Sequence, residues 1–156
     1  MSKSLKRVRQ ALLDLSIDTE IVEVTHARTA AEAAESLGCK LDQIANSIIL
    51  LGLKSGQVKL FLTSGANRVD IDRAAEVAGE PLGKADAAVI RAQTGFAIGG
   101  VAPVGHLSQT PAWIDPHLAT FDKIYAAAGT PRHLFGTDPA TLQQISNAQT
   151  ADFIQQ

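Results

Sequence analysis

Residues 47–53 read SIILLGL and residues 57–63 read QVKLFLT, with Lys54-Ser55-Gly56 between them. Two β-rich runs joined by a three-residue connection ending in glycine predict a β-hairpin. The first run does not alternate between apolar and polar residues. A strand of that kind is expected to be covered on both faces. The hairpin therefore predicts a sheet with further layers around it.

Working downstream, residues 64–69 (SGANRV) form a polar loop. Asp70 is placed to cap a helix carrying Ile71, Ala74, Ala75 and Ala78, ended by Gly79. Residues 81–83 read as a connector and 86–93 as another helix. Residues 96–98 are expected to form a short strand running into GGVAPVGH. Trp113 and Ile114 read as strand, interrupted by Pro116. Residues 123–127 and 132–135 look like two strands around Gly129-Thr130-Pro131. Asp138-Pro139 opens a last helix with Leu142 and Ile145, proline taking the first helical position.

Upstream, residues 41–45 suggest a short helical turn. Thr29 and Glu32 fit a capping box at the start of TAAEAAESLG, with Gly38 after the helix end. Residues 20–24 (EIVEV) alternate as a strand does. Leu5, Val8, Leu12 and Leu15 share one face of a first helix. Helices and strands are interleaved while several strands are adjacent, which favours a mixed α+β sheet over a purely parallel one.

Bulk properties narrow the function. A length of 156 residues suits one domain spanning 1–156, and no linker or repeat divides it. A net charge of −2 argues against a protein that coats nucleic acid through bulk charge. It leaves room for local contact with one RNA end. The densest basic run, Lys3, Lys6, Arg7 and Arg9, reads first as the solvated face of the opening helix. One cysteine, Cys39, allows no internal disulfide and suggests a reducing compartment and a structural thiol. No secretory leader pattern is visible and no apolar run is long enough to cross a bilayer, so a cytoplasmic protein without a membrane partner is expected.

Three segments could carry chemistry. GFAIGGVAPVGH (95–106) has four glycines and a proline between structured regions. Glycine pairs after a strand mark a bulge or tight turn, or a backbone brought close to a ligand. Free N–H groups there could hold an oxyanion. His106, directly after it, is the best-placed histidine for acid/base work, although a lone histidine after a loop is commonly just exposed. In the second segment Arg28 and Thr29 precede a helix, and Asn46 and Ser47 precede the apolar strand. Thr29 is accounted for by capping alone; Asn46 and Ser47 fit either a capped turn or the mouth of a site. In the third, Ser64 and Arg68 flank a loop, Arg68 being a surface charge or a phosphate contact. There is no phosphate-binding loop, Ser-His-Asp order, HExxH helix or short metal-ligand spacing.

Taken in order, RTAAEAAESLG (28–38), IANSIIL (44–50), RVDIDRAAEVAG (68–79), GFAIGGVAPVG (95–105) and the C-terminal G-x-P…F…DPATL (129–142) resemble the YbaK/ProX-type aminoacyl-tRNA editing family. The resemblance spans roughly residues 5–150. It implies a curved, partly barrel-like mixed sheet flanked by helices. It also implies hydrolysis of the ester joining a wrong amino acid to the terminal adenosine of tRNA, without cofactor or metal. The implied partners are the aminoacyl-tRNA acceptor end and a tRNA synthetase, not DNA. Gly99, Gly100, Val101, Ala102 and Pro103 match the family's G-x-x-x-P loop, which shapes the pocket in relatives. Asn46 falls where many relatives carry an active-site lysine, so a neutral donor and acceptor replaces a positive charge. Catalytic roles are thus expected at Asn46, Gly99 and Gly100. Substrate contacts are expected at Arg28, Thr29, Ser47, Ser64, Arg68, Val101, Ala102, Pro103 and His106. The alternative is a non-catalytic module of the same fold that binds a tRNA end, an aminoacyl nucleotide or a synthetase.

Overall fold

The computed structural model describes residues 2–156. The predicted hairpin is its centre. β2 (Ile44–Gly52) and β3 (Val58–Ser64) pair antiparallel from Ala45↔Ser64 to Leu51↔Val58. They belong to one mixed sheet of eight strands. Its order is β1-β7-β6-β2-β3-β5-β8, with β4 pairing the far end of β2 on the side that β6 also borders. The other strands are β1 (Ile21–Glu23), β4 (Leu82–Lys84), β5 (Ala112–Ile114), β6 (Ile124–Ala127), β7 (His133–Thr137) and β8 (Gln149–Thr150). Helices α1 (Lys3–Asp14), α2 (Ala30–Leu37), α3 (Ile71–Ala78), α4 (Ala87–Thr94) and α5 (Pro139–Ser146) flank it.

Because side chains alternate across a strand, β2 and β3 serve two layers. Ala45, Ile49, Leu60 and Leu62 join the main core with Leu5, Val8 and Leu12 of α1, Ile90 of α4 and Leu142 of α5. On the opposite face Ile44 packs with Ala33 and Ala34 of α2, while Ile48 and Phe61 pack with Ala74 of α3. Phe61 stacks on Trp113 at 5.2 Å and meets the edge of Phe153 at 5.0 Å. Both faces of β2 are occupied as expected, although its middle residues are only half-buried because a cleft opens beside them.

Local chemistry sets the helix ends. Thr29 accepts from the Glu32 N–H and Gly38 closes α2 in the left-handed region at φ 70°. The reciprocal carboxylate contact goes to the Arg28 N–H, one residue before the cap. Asp70 caps α3 and Asp138 caps α5, with Pro139 in its first turn. Buried Asp115 accepts from the N–H groups of Ser64 and His117 and from Asn67 Nδ2. His117 Nε2 in turn meets Asp42 at 2.7 Å, and that bond holds the Asp42 carboxyl below its usual range. This network fixes the 3-10 turn Leu41–Gln43 from which β2 departs.

Several expectations need correction. Residues 81–83 are not a plain connector: β4 begins at Leu82 and pairs with β2. Residues 96–98 are not a strand; Phe96 is fully buried and Ile98 sits in a turn. Residues 44–45 belong to β2 rather than to a helical turn. Leu15 ends α1 and is 46% exposed, off the buried face. β8 and the 3-10 turn Pro116–Thr120 had no sequence signal we recognised. Cys39 is half-buried against the α2 cluster, and burial raises its pKa.

Candidate functional site

Parallel strands β2 and β6 pair only at Ile44↔Tyr125 and Ala45↔Ala126. Beyond that point they part, and a cleft of about 1210 Å³ opens between them. A crevice where neighbouring parallel strands diverge is a common ligand position in sheet proteins. One wall is the start of α2 with Arg28, Thr29, Glu32 and Ala33. The floor is Ala45, Asn46, Ser47 and Ile48 of β2. The far wall is Ile98 and Gly99 with Thr130, Pro131 and Arg132.

The far wall is assembled from two remote segments. Gly99 is at φ 88°, where side chains are disfavoured, and a Cβ there would meet only Pro131 at 3.8 Å. Gly100 is buried, and its Cβ would lie 2.8 Å from the Thr130 backbone. Glycine at position 100 therefore lets the 98–100 turn lie directly on the 130–131 turn. Behind it, Arg7 of α1 donates from Nε to Gly105 O at 2.7 Å and from Nη2 to Gly95 O at 2.8 Å. Its guanidinium also lies 4.5 Å from the Phe96 ring centre. Arg7 thus pins both ends of the glycine-rich loop and is not part of a solvated basic face.

The structure brings Arg28, Thr29, Asn46, Ser47 and Gly99 together on the cleft. Asn46 and Ser47 are consecutive on a strand, so their side chains leave opposite faces. Asn46 shares its face with Ile44 and Ile48, Ser47 with Ala45 and Ile49. No side-chain hydrogen bond to Asn46 is found among the described residues. Ser47 Oγ is buried without a hydrogen-bond partner.

The other expected contacts lie elsewhere. Gly100 supports the wall from behind, and its N–H donates to Ala97 O, so it offers no free donor. Val101 and Ala102 are core residues. Pro103 and His106 line a smaller hollow of about 260 Å³ beside α5. His106 Nδ1 meets Thr110 Oγ1 at 2.7 Å and Nε2 meets Ala102 O. Burial lowers its pKa, with nearby Arg7 adding to the effect. With both nitrogens engaged, His106 latches the loop. Ser64 is buried, its hydroxyl donating to Asp42 O. Arg68 is exposed near the C-terminal residues, where its carbonyl accepts from Gln155 N–H.

Sequence reasoning missed Thr130, Arg132 and His133 as cleft residues. His133 Nδ1 meets Thr130 Oγ1 at 2.6 Å. Thr130 stands in the G-x-P element of the family pattern, while Arg132 and His133 were read only as strand. Among the described residues no group of three His, Cys, Asp or Glu is placed to hold a metal ion. No helix among them is long and apolar enough to cross a membrane.

Known proteins align with this geometry. A solved structure described as a "putative trans-editing enzyme for prolyl tRNA synthetase" is 41% identical, covers 100% of this chain and 99% of its own, and superposes with a TM-score of 0.93. "Uncharacterized protein YwhH" of Bacillus subtilis (strain 168) is 28% identical over 144 residues, 92% of this chain and 91% of its own. "Putative Cys-tRNA(Pro)/Cys-tRNA(Cys) deacylase EbsC" of Enterococcus faecalis (strain ATCC 700802 / V583) is 27% identical over 128 residues, 80% of this chain and 76% of its own. The profile of the aminoacyl-tRNA editing domain matches residues 24–145, a span that contains every residue of the cleft, and the chain therefore belongs to the aminoacyl-tRNA editing domain family.

Proposed function

We propose that the cleft hydrolyses the ester of a mischarged tRNA, releasing free amino acid and intact tRNA in the cytoplasm. The observation that carries this reading is the meeting of Asn46, Ser47 and Gly99 on one cleft of about 1210 Å³ in a chain of the editing family. An aminoacyl ester is already activated. Its hydrolysis needs a placed water, some stabilisation of the oxyanion, and exclusion of the right amino acid. Asn46 replaces the lysine of many relatives and supplies one donor group and one acceptor to orient water or carbonyl. Arg28 and Arg132 at the mouth suit the phosphates of an acceptor end. The apolar surfaces of Ala27, Ala30, Ile44, Ile48 and Ala127 suit an amino-acid side chain. Selection by such a surface is limited to about 1–3 kcal/mol per methylene. A synthetase that delivers the tRNA is the fitting protein partner.

The test is release of labelled amino acid from a panel of mischarged tRNAs by the purified chain. Turnover on at least one tRNA, and its loss in Gly100→Val, is the expected result. No turnover across the panel, or an unaffected variant, counts against the proposal. The neutral Asn46 favours one competing reading, a module that binds the acceptor end without cleaving it. Saturable binding with no release, unchanged by Asn46→Lys, would select that reading.

A further inference from the structure

On the side away from β3, β2 borders two strands and between them it borders none. Pairing with β6 ends at Ala45 and pairing with β4 begins at Leu50. The intervening edge faces the cleft, which Ala45, Asn46, Ser47 and Ile48 line. Hydrogen bonds of β3 reveal which way its main chain points. Leu60 N–H donates to Pro111 O, and Leu62 O accepts from Asp115 N–H, so both residues face β5. Opposite them across the β2–β3 ladder stand Ile49 and Ser47. In an antiparallel pair a residue directs its N–H and C=O to the same side, and alternate residues serve alternate neighbours. Ser47 therefore turns both main-chain groups away from β3, into the unpaired stretch. Its hydroxyl is also buried and unpartnered.

Buried polar groups in native proteins are almost always satisfied, so the unpartnered hydroxyl of Ser47, on the residue that also turns its main chain to the unpaired edge, calls for an explanation. We infer that Ser47 is the anchor of the aminoacyl group. Its N–H receives the ester carbonyl oxygen and its C=O accepts from the α-ammonium, as does Oγ once rotation about χ1 brings it from the core face to the cleft edge. This inference rests on the deacylase reading and deepens it. Water adds to the carbonyl carbon, the C–O bond to the ribose breaks, and the leaving ribose oxygen takes a proton from the attacking water. The Ser47 N–H holds the negative oxygen between those events. The Gly100 N–H is bound to Ala97 O and does not supply that donor. Among the lining residues the one carboxylate is that of exposed Glu32 on α2, and its Oε2 is engaged by the Arg28 N–H. The anchor thus requires a free amino group on the substrate, and an N-acylated aminoacyl-tRNA should be refused.

The experiment uses the tRNA of the panel that is cleaved fastest, in aminoacyl and N-acetylaminoacyl forms. Wild type should cleave the acetylated form at least ~10-fold more slowly, because charge-assisted hydrogen bonds are lost. Ser47→Ala should lower kcat/KM by roughly 30-fold, in the range for loss of one hydrogen bond to a charged group. Its unfolding midpoint should be no lower than wild type, since the hydroxyl bonds to nothing in the free protein; a merely structural serine would lower it. Ser47→Thr, which keeps the hydroxyl, should stay within about 3-fold of wild type. In the free protein the Ser47 amide should exchange with solvent faster than those of Asn46 and Ile48, which face β3. Equal cleavage of both substrate forms, full activity of Ser47→Ala, or protection of the Ser47 amide overturns the anchor while leaving the deacylase standing. Absence of release from every tRNA overturns the deacylase reading and the anchor with it.

Discussion

Replacing Arg7 by methionine keeps a long apolar stem on α1 and removes the guanidinium that holds the glycine-rich loop. Two hydrogen bonds, at 2.7 and 2.8 Å, and one stacking contact with Phe96 are lost. Hydrogen bonds to charged groups contribute about 1.5–3 kcal/mol each, and Arg7 is half-buried, so the lower end applies. The contact with the ring adds about 0.5–1 kcal/mol. The expected loss is ~3–4 kcal/mol, a large part of the ~5–15 kcal/mol that holds a domain of this kind together. Equilibrium urea unfolding reads it directly. With a slope near ~2 kcal/mol per molar, the midpoint should fall by about 1.5–2 M at unchanged slope. Arg7→Lys presents a single point charge that cannot fork to Gly95 O and Gly105 O together, and should recover at most half of the loss. A midpoint within ~0.3 M of wild type for Arg7→Met would refute the claim that this residue closes the loop.

Other outcomes follow from the same geometry. Gly100→Ala places a Cβ 2.8 Å from the Thr130 backbone, so the two turns must move apart; a cost of about 1–3 kcal/mol is expected in thermal or urea unfolding, with loss of turnover. Glu80 accepts first from the Ser55 N–H, also from Lys54 N–H, and lies 3.3 Å from Lys59 Nζ, which brings its pKa to about 2. A carboxyl depressed on folding stabilises fully above its unfolded pKa near ~4.5 and loses that contribution as pH falls toward 2. Glu80→Gln should accordingly show a flatter stability profile than wild type across that window. Neutral His106 has the same sign for a different reason: its folded pKa is lowered, so protonation favours the unfolded chain as pH drops below ~6.5. His106→Asn should remove that part of the decline, as followed by unfolding midpoints from pH 7.5 to 5.

The hairpin, the caps at Thr29, Asp70 and Asp138, and the core face of α1 were legible because each depends on residues within a few positions of one another. Arg7 was misread for the opposite reason. Its partners lie 88 and 98 positions away, and a basic residue on an amphipathic helix looks solvated until the loop that covers it is known. β4 was hidden because a three-residue strand has no periodicity of its own and is defined by its pairing with β2. At the site, motif order pointed to Asn46, Ser47 and Gly99, which the structure places on one cleft. The same motif wrongly suggested contact for Val101 and Ala102, where it records packing in the main core. Which main-chain groups of β2 stay open depends on where two neighbouring strands stop, and no local pattern encodes that.

The match to the editing-domain profile begins at residue 24, yet α1 before it backs both halves of the far wall. Arg7 clasps the loop at Gly95 and Gly105. One turn earlier, the Ser4 carbonyl would lie 2.7 Å from a Cβ at Gly129, just ahead of the Thr130 turn. The twelve-residue helix works as a splint laid across two bends that meet at Gly100. Cutting the gene at the family boundary would keep every cleft residue while removing the brace that sets the gap between them. Such a fragment would be a poor guide to the intact protein, and an inactive one would say little about its chemistry.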